Sequence, residues 1–248
     1  MNKSSDSYFI IFETSEQHCR VVLTQRMILI GDFLIEQPRR HGDVLIEITQ
    51  KLLADADIKL HEITAIGVTV GPGAFTGIRI GVSMAQGIAY GLNIPCLALN
   101  TLELWAEQAL YSQTSWQIAL CLMDARMNEV YVAAYARFDT PFNNNAQGMQ
   151  CILEPKCCAP ALLGEFFEQH GKQSLKKIGL IGSGARVYGA ELCAVATKLS
   201  FNVSISEEQL TSQACIRLVN QHWDNRYFVS AQSLDALYLR PSVLSENK

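Results

Sequence analysis

Gly71-Pro72-Gly73-Ala74-Phe75-Thr76-Gly77-Ile78-Arg79-Ile80-Gly81 is the stretch whose residue types could do chemistry. It follows an apolar run, Ile66 to Val70, and opens a helical segment that continues to about Gly91. A glycine-rich strand-to-helix turn suits two jobs. Free backbone N–H groups at a helix start attract phosphate, and missing side chains let another backbone come close. The spacing fails the familiar nucleotide motifs. A Walker A loop needs Gly-x-x-x-x-Gly-Lys-Ser/Thr, but counting from Gly71 puts Thr76 at its second glycine, and the turn has no lysine. The dinucleotide pattern Gly-x-Gly-x-x-Gly fails too, because Gly77 comes one residue too late after Gly73. Close helix packing is the reading this spacing favours.

Other candidates for chemistry are thin. Asp124, Arg126 and Glu129 fall on a strand-to-strand turn, where a salt-bridged turn is the ordinary explanation. Gly182-Ser183-Gly184 after an apolar strand reads as a strand-to-helix turn, with a nucleotide-facing loop as the alternative. The eight cysteines contain no Cys-x-x-Cys, Cys157-Cys158 are vicinal, and most others sit in apolar surroundings as reduced core residues do. The five histidines form no His-x-x-x-His or His-Glu-x-x-His, which disfavours a zinc hydrolase.

On a wheel of about 100° per residue, Ile78, Val82, Ala85, Ala89 and Leu92 make one apolar face of the glycine-rich helix, suited to packing on the chain's own sheet. Gly77, Ile80, Gly81, Met84, Ile88 and Gly91 make a second face, small or apolar throughout. Arg79, Ser83 and Gln86 leave only a narrow polar stripe. Each helical glycine costs roughly 1 kcal/mol relative to alanine, a cost easier to explain if the small face meets something closely. On the preceding helix, Leu45, Ile48, Leu52 and Ala56 face inward, while Ile46 and Leu53 either add apolar area to one side or widen the core face.

The same order of elements occurs twice. Strands over 8–13, 20–24 and 27–36 precede a helix over 43–56, a strand over 63–70, the glycine-rich helix, a strand over 95–99 and a helix over 101–111. Strands over 117–123, 129–138 and 149–153, a helix over 159–170, a strand over 177–181, a helix over 187–199, a strand over 202–206 and a helix to about 223 repeat it. Two βββαβαβα halves point to an α/β protein of two ribonuclease-H-like domains of the actin-like ATPase (ASKHA) kind. The expected boundary falls between 1–112 and 113–248, with the last helical segment packing back on the first domain. Composition agrees with two packed domains: 49% of the 248 residues are hydrophobic and 18% charged. A net charge of −4 argues against strong nucleic-acid binding by the chain alone. Nothing reads as a membrane span or an apolar leader, and a cytoplasmic location is expected.

The glycine-rich stretch closely resembles the Gly-Pro-Gly-Ser-Phe-Thr-Gly-x-Arg-x-Gly signature of the TsaB (YeaZ) family. The similarity extends through Ala85-Gln86-Gly87, Asn100-Thr101-Leu102, Asp124-Ala125-Arg126-Met127-Asn128-Glu129-Val130-Tyr131 and Tyr238-Leu239-Arg240, with Arg40-His41 before the first helix. The resemblance is dense in the N-terminal half and reduced to landmarks in the C-terminal half. It implies an actin-like fold and a non-catalytic subunit in threonylcarbamoylation of adenosine in tRNAs reading ANN codons. The implied partner is a TsaD-like paralogue carrying the transferase site, working with a TsaE-like ATPase and a TsaC-type enzyme. Also implied are a homodimer when the chain is alone, contact with tRNA only through the complex, and no cofactor bound by this chain alone, with ATP and magnesium at the level of the complex. The family's partner surface is formed by the first two helices, which places Ile46, Leu53, Gly77, Arg79, Ile80, Gly81, Met84 and Ile88 at it.

Three residues depart from the family pattern. Glu13 stands where aspartate is usual, at the end of the first strand, where active actin-like ATPases hold the metal–phosphate group. With Gly71 and Gly73 it forms the set that would meet a nucleotide phosphate. Ala74 replaces serine, and Ala236 replaces the proline that often precedes the Tyr-Leu-Arg tail. The rival reading is an independently acting actin-like ATPase or a glycoprotease-like hydrolase. It needs a phosphate–metal site or a nucleophile with its base, and the sequence assembles neither. The purified chain, assayed with ATP and magnesium, is expected to turn over far more slowly than on the order of 1–10 per second; turnover in that range would overturn the non-catalytic reading.

Overall fold

Strand β1 (Tyr8–Glu13) buries Phe9, Ile10, Ile11 and Phe12 together. A strand apolar on both faces belongs inside a sheet covered on both sides. The computed structural model, which describes residues 7–16, 18–36, 41–137, 148–171, 177–198, 203–206 and 208–240, places it so. β1 is the middle of a five-stranded sheet with β2 (Cys19–Gln25), β3 (Ile28–Ile35), β4 (Ile63–Gly71) and β5 (Cys96–Asn100) in the order β3-β2-β1-β4-β5. The first three strands run antiparallel as a meander, and β4 and β5 join in parallel through helical crossovers. Those crossovers are α1 (His41–Asp55) and α2 (Phe75–Leu92). Asn93, in the left-handed region at φ 54°, ends α2 by turning its N–H back to the carbonyls of Ala89 and Tyr90.

The second sheet repeats the plan. β6 (Ile118–Arg126), β7 (Glu129–Arg137), β8 (Met149–Cys158), β9 (Ile178–Ile181) and β10 (Val203–Ser206) are ordered β10-β9-β6-β7-β8, which read from β8 is again three-two-one-four-five. Two mixed sheets of identical strand order, each with helices on its faces, make this a two-domain actin-like α/β fold. Helix α4 (Gly164–Gly171) follows a short 3-10 turn, Pro160–Leu163, so the helix expected over 159–170 is split. Helix α5 (Ser183–Lys198) starts four residues earlier than expected. β8 runs to Cys158, well past the expected end at 153. The insertion at 139–147, residues 37–40 with Arg40, and Cys-free tails at 1–6 and 241–248 lie outside the described residues.

The chain divides into two compact units, Met1–Thr101 with Thr211–Leu237 and Leu102–Leu210 with Tyr238–Lys248. The sequence suggested a boundary after residue 112 with the last helical segment packing back on the first domain; the two divisions differ in the helix that follows β5. Helix α3 (Thr101–Ser112) is tied into the second unit, where the Arg137 side chain donates to the Leu110 carbonyl and Glu208 accepts from Gln108 (3.0 Å), Ser112 (2.6 Å) and Gln113 (2.7 Å). Helix α6 (Ser212–Asp224), capped by Thr211 accepting from the Ala214 N–H, packs on the first sheet instead. Its Trp223 ring stands 5.1 Å from that of Phe9, and Gly67 of β4 leaves the space that Val219 fills.

Burial pushes the Glu208 carboxyl up, but the hydrogen bonds from Ser112, Gln108, Gln113 and Ser206 outweigh it and hold the pKa below the ordinary value of a glutamate. A depressed folded-state pKa contributes stability that is present above the unfolded value and lost as pH falls through the folded one. Glu208→Ala is therefore expected to lower the melting temperature at pH 7, by about 1–2 kcal/mol of stability. The deficit should shrink below pH 4.5, and a deficit independent of pH would contradict this account.

Candidate protein-interaction surface

The end of β1 and the glycine-rich turn are built against each other. Thr14 donates its N–H to the Thr69 hydroxyl on β4 at 3.0 Å, which fixes the chain where it leaves the strand. The Ser15 carbonyl then lies where a side chain at Gly73 would be, and it accepts the Ala74 N–H at 2.7 Å. One helix turn on, the Thr14 carbonyl fills the space beside Gly77, and the Thr14 hydroxyl and methyl fill the space beside Gly81. Gly71 has φ +115°, a left-handed conformation that favours glycine, and a side chain there would come 3.1 Å from the Leu237 carbonyl. Leu237 in turn donates its N–H to Val70 at 2.7 Å. The glycines thus serve close approach of the chain's own backbone, and the Ala74 N–H that would face an anion is already engaged.

Glu13 is buried beneath this turn. One oxygen, Oε1, accepts both the Ser15 N–H at 2.8 Å and the Ser15 hydroxyl at 2.5 Å. Burial raises its pKa above the ordinary value of a glutamate, with the two Ser15 hydrogen bonds and the charges of Arg20 and His18 pulling the other way. Among the described residues, no group of three or more His, Cys, Asp or Glu side chains could hold a metal ion. Burial also raises the thiol pKa of Cys96 to about 11 and of Cys19 to about 12, so neither is a poised thiolate. Cys157 and Cys158 are likewise pushed up by burial, and all eight cysteines are free thiols.

The eight residues expected at a partner surface separate into two groups. Gly77 and Gly81 are buried against Thr14, and Leu53 is a core residue at 7% exposure. The expectation that the two glycines open a face to a partner is therefore corrected. On the wheel they flank Ala85 at the margin of the buried arc, near enough to the β1 end to be covered by it. Leu53 belongs to the inward face of α1, the second of the two readings left open for it. Ile46 is 49% exposed, Arg79 is exposed, and Ile80, Met84 and Ile88 are half-buried at the rim of the first core. Arg79, Ile80 and Met84 line an open groove of about 560 Å³ with Leu45, Phe75, Thr76 and Ser83.

Phe75 was missed by the sequence reading. It is 59% exposed, and the Arg79 guanidinium lies 3.9 Å from its ring centroid. The signal was present, since Phe75 and Arg79 are four residues apart and so share a helix face.

The structure also joins two parts of the sequence resemblance. Arg240 reaches Glu129 Oε2 at 2.5 Å and donates to the Ala125 carbonyl at 2.9 Å, so the Tyr-Leu-Arg tail closes on the β6–β7 hairpin. In that hairpin Arg126, Met127 and Asn128 all have positive φ, and Asp124 accepts the Arg126 N–H at 2.9 Å. This is a hydrogen-bonded turn with an ion pair beside it.

Comparison with known proteins adds the following. Residues 34–155 match the family model described as TsaD, tRNA N6-adenosine threonylcarbamoyltransferase. The tRNA threonylcarbamoyladenosine biosynthesis protein TsaB of Escherichia coli is 34% identical over 147 residues, 59% of this chain and 62% of that protein, so the match spans under two thirds of that relative. The protein of the same description from Haemophilus influenzae is 24% identical over 94% of both chains. The solved structure of YeaZ from Pseudomonas aeruginosa superposes with a TM-score of 0.73 at 23% identity, covering 94% of this chain and all of that one, a likeness of fold.

Two glycine substitutions separate the roles within α2. Gly81→Leu is expected to overpack Thr14 and cost roughly 1–3 kcal/mol, seen as a lower melting temperature. Gly87, with nothing within 4 Å of an added Cβ, should tolerate Gly87→Ala and gain about 0.5–1 kcal/mol of stability. A Gly81→Leu protein as stable as the wild type would place that residue outside the core.

Proposed function

We infer that this chain, which belongs to the TsaB (YeaZ) family, is a non-catalytic subunit that pairs with a TsaD-like paralogue in threonylcarbamoyladenosine synthesis on tRNA. The observation that carries the reading is the contrast between two places in the first unit. The carboxylate that an actin-like ATPase would turn toward metal and phosphate is here buried and spent on Ser15. The first two helices, by contrast, leave Phe75, Arg79, Ile80 and Met84 at a groove, and Ile46 of α1 is exposed. A mixed apolar and arginine surface with an exposed aromatic is the composition protein interfaces favour. Ile88 continues it along the same helix.

On this reading the transferase chemistry belongs to the paralogue, ATP and magnesium are used at the level of the complex with a TsaE-like ATPase, and tRNA is met through the complex. The same face would serve a homodimer when the chain is alone. No helix among the described residues is long and apolar enough to cross a membrane.

The test uses two exposed positions, so that the fold is left alone. Ile46→Lys combined with Arg79→Glu is expected to keep the wild-type melting temperature and weaken association with a TsaD-like protein by about tenfold or more, equivalent to about 1.4 kcal/mol. Undiminished co-purification of the folded double variant would place the interface elsewhere.

A further inference from the structure

We propose that Glu13 is a positioning residue for helix α2, acting through the Ser15 turn to set the first helical turns of the surface to which the preceding subsection assigns partner binding. It rests on that reading only for the effect on binding; the positioning itself rests on the contacts.

Those contacts form an unbroken series. Glu13 Oε1 takes both hydrogens that Ser15 can offer, from N at 2.8 Å and from the hydroxyl at 2.5 Å, and so fixes the orientation of that residue. The Ser15 carbonyl is thereby aimed at α2, where it accepts the Ala74 N–H at 2.7 Å against the bare Cα of Gly73. Thr14, held between Glu13 and Ser15 and pinned to Thr69 at 3.0 Å, supplies the carbonyl and hydroxyl against which Gly77 and Gly81 rest. Gly73 before α2 and Gly77 and Gly81 within it therefore take their distance from a two-residue turn whose shape one carboxylate determines. Phe75, Arg79, Ile80 and Met84 project from the first three turns of the same helix.

A helix start is otherwise weakly held. Its first N–H groups lack intrahelical partners, and Ala74 at the N-cap offers no side chain to replace them. The Ser15 carbonyl takes over part of that duty, and the Glu13 carboxylate keeps it in place. A buried acid whose hydrogen bonds serve a neighbouring element acts on the surface of that element from a distance.

The experiment measures amide hydrogen exchange across 74–81 in the full chain, together with affinity for a TsaD-like protein. Glu13→Ala is compared with Val219→Ala, a substitution in α6 that also reduces stability but leaves the Ser15 turn intact. Glu13→Ala should raise exchange in 74–81 by about tenfold over Val219→Ala and weaken binding by about fivefold or more. Glu13→Gln keeps the accepting oxygen and should restore both to within about twofold of wild type. Equal exchange in the Glu13→Ala and Val219→Ala proteins would overturn the proposal, as would a Glu13→Gln protein as loose as Glu13→Ala. If exchange rises while affinity holds, the positioning role stands and the assignment of α2 as the partner helix fails. Should Glu13→Ala not fold, Ser15→Ala, which removes only the hydroxyl, carries the same readouts.

Discussion

The approach of the Thr14–Ser15 backbone to the glycines of α2 is the constraint on which the first domain depends. A helix packed on a sheet through ordinary side chains keeps an interaxial spacing set by those side chains. At its start α2 comes closer, because Gly73, Gly77 and Gly81 let carbonyl and hydroxyl groups of the β1 end take the place of side chains. The helix gives up intrinsic propensity at Gly77 and Gly81 and receives in exchange a fixed depth and pitch. Farther along, Ile78, Val82, Ala85 and Ala89 carry the packing on the core in the usual way.

The same constraint explains how one turn sequence can resemble a phosphate loop without the spacing of one. Phosphate loops and close helix packing both require bare backbone next to a helix start. They differ in what enters the space. Here it is a carbonyl, which takes a hydrogen from Ala74 as an anion would. The carboxylate of Glu13, one methylene longer than the aspartate it stands in for, folds back over Ser15 from the same strand end. Its burial keeps it from the solvent side of the turn.

Much of the architecture could be read from the residues. Ile66 to Val70 had to be a buried strand, and three strands followed by alternating helices and strands recur in both halves; that both sheets then share the order three-two-one-four-five is what the structure adds. Element ends followed turn chemistry less faithfully. The length of β8 depends on its pairing with β7, and at the start of α5 the Ser183 hydroxyl accepts the Asp124 N–H; periodicity reveals neither. The surface was half legible. Ile46 and Arg79 are exposed as their wheel positions suggest, while the wheel placed Gly77 and Gly81 with Ile80 and Met84 on one face. It cannot register that Thr14, more than sixty residues earlier in the chain, closes over part of that face. Arg240 was visible as part of a motif, but its bond to Glu129 joins residues 111 positions apart.

That α6 belongs to the first unit but comes late in the chain has a consequence for synthesis on the ribosome. The face of the first sheet that α6 covers, with Phe9 and Gly67 on it, has no lid until residues 212–224 emerge. At an elongation rate of about 5–20 residues per second, roughly 110 residues after β5 amount to some 5–20 s of exposure. During that interval the apolar sheet face that α6 later covers stands open.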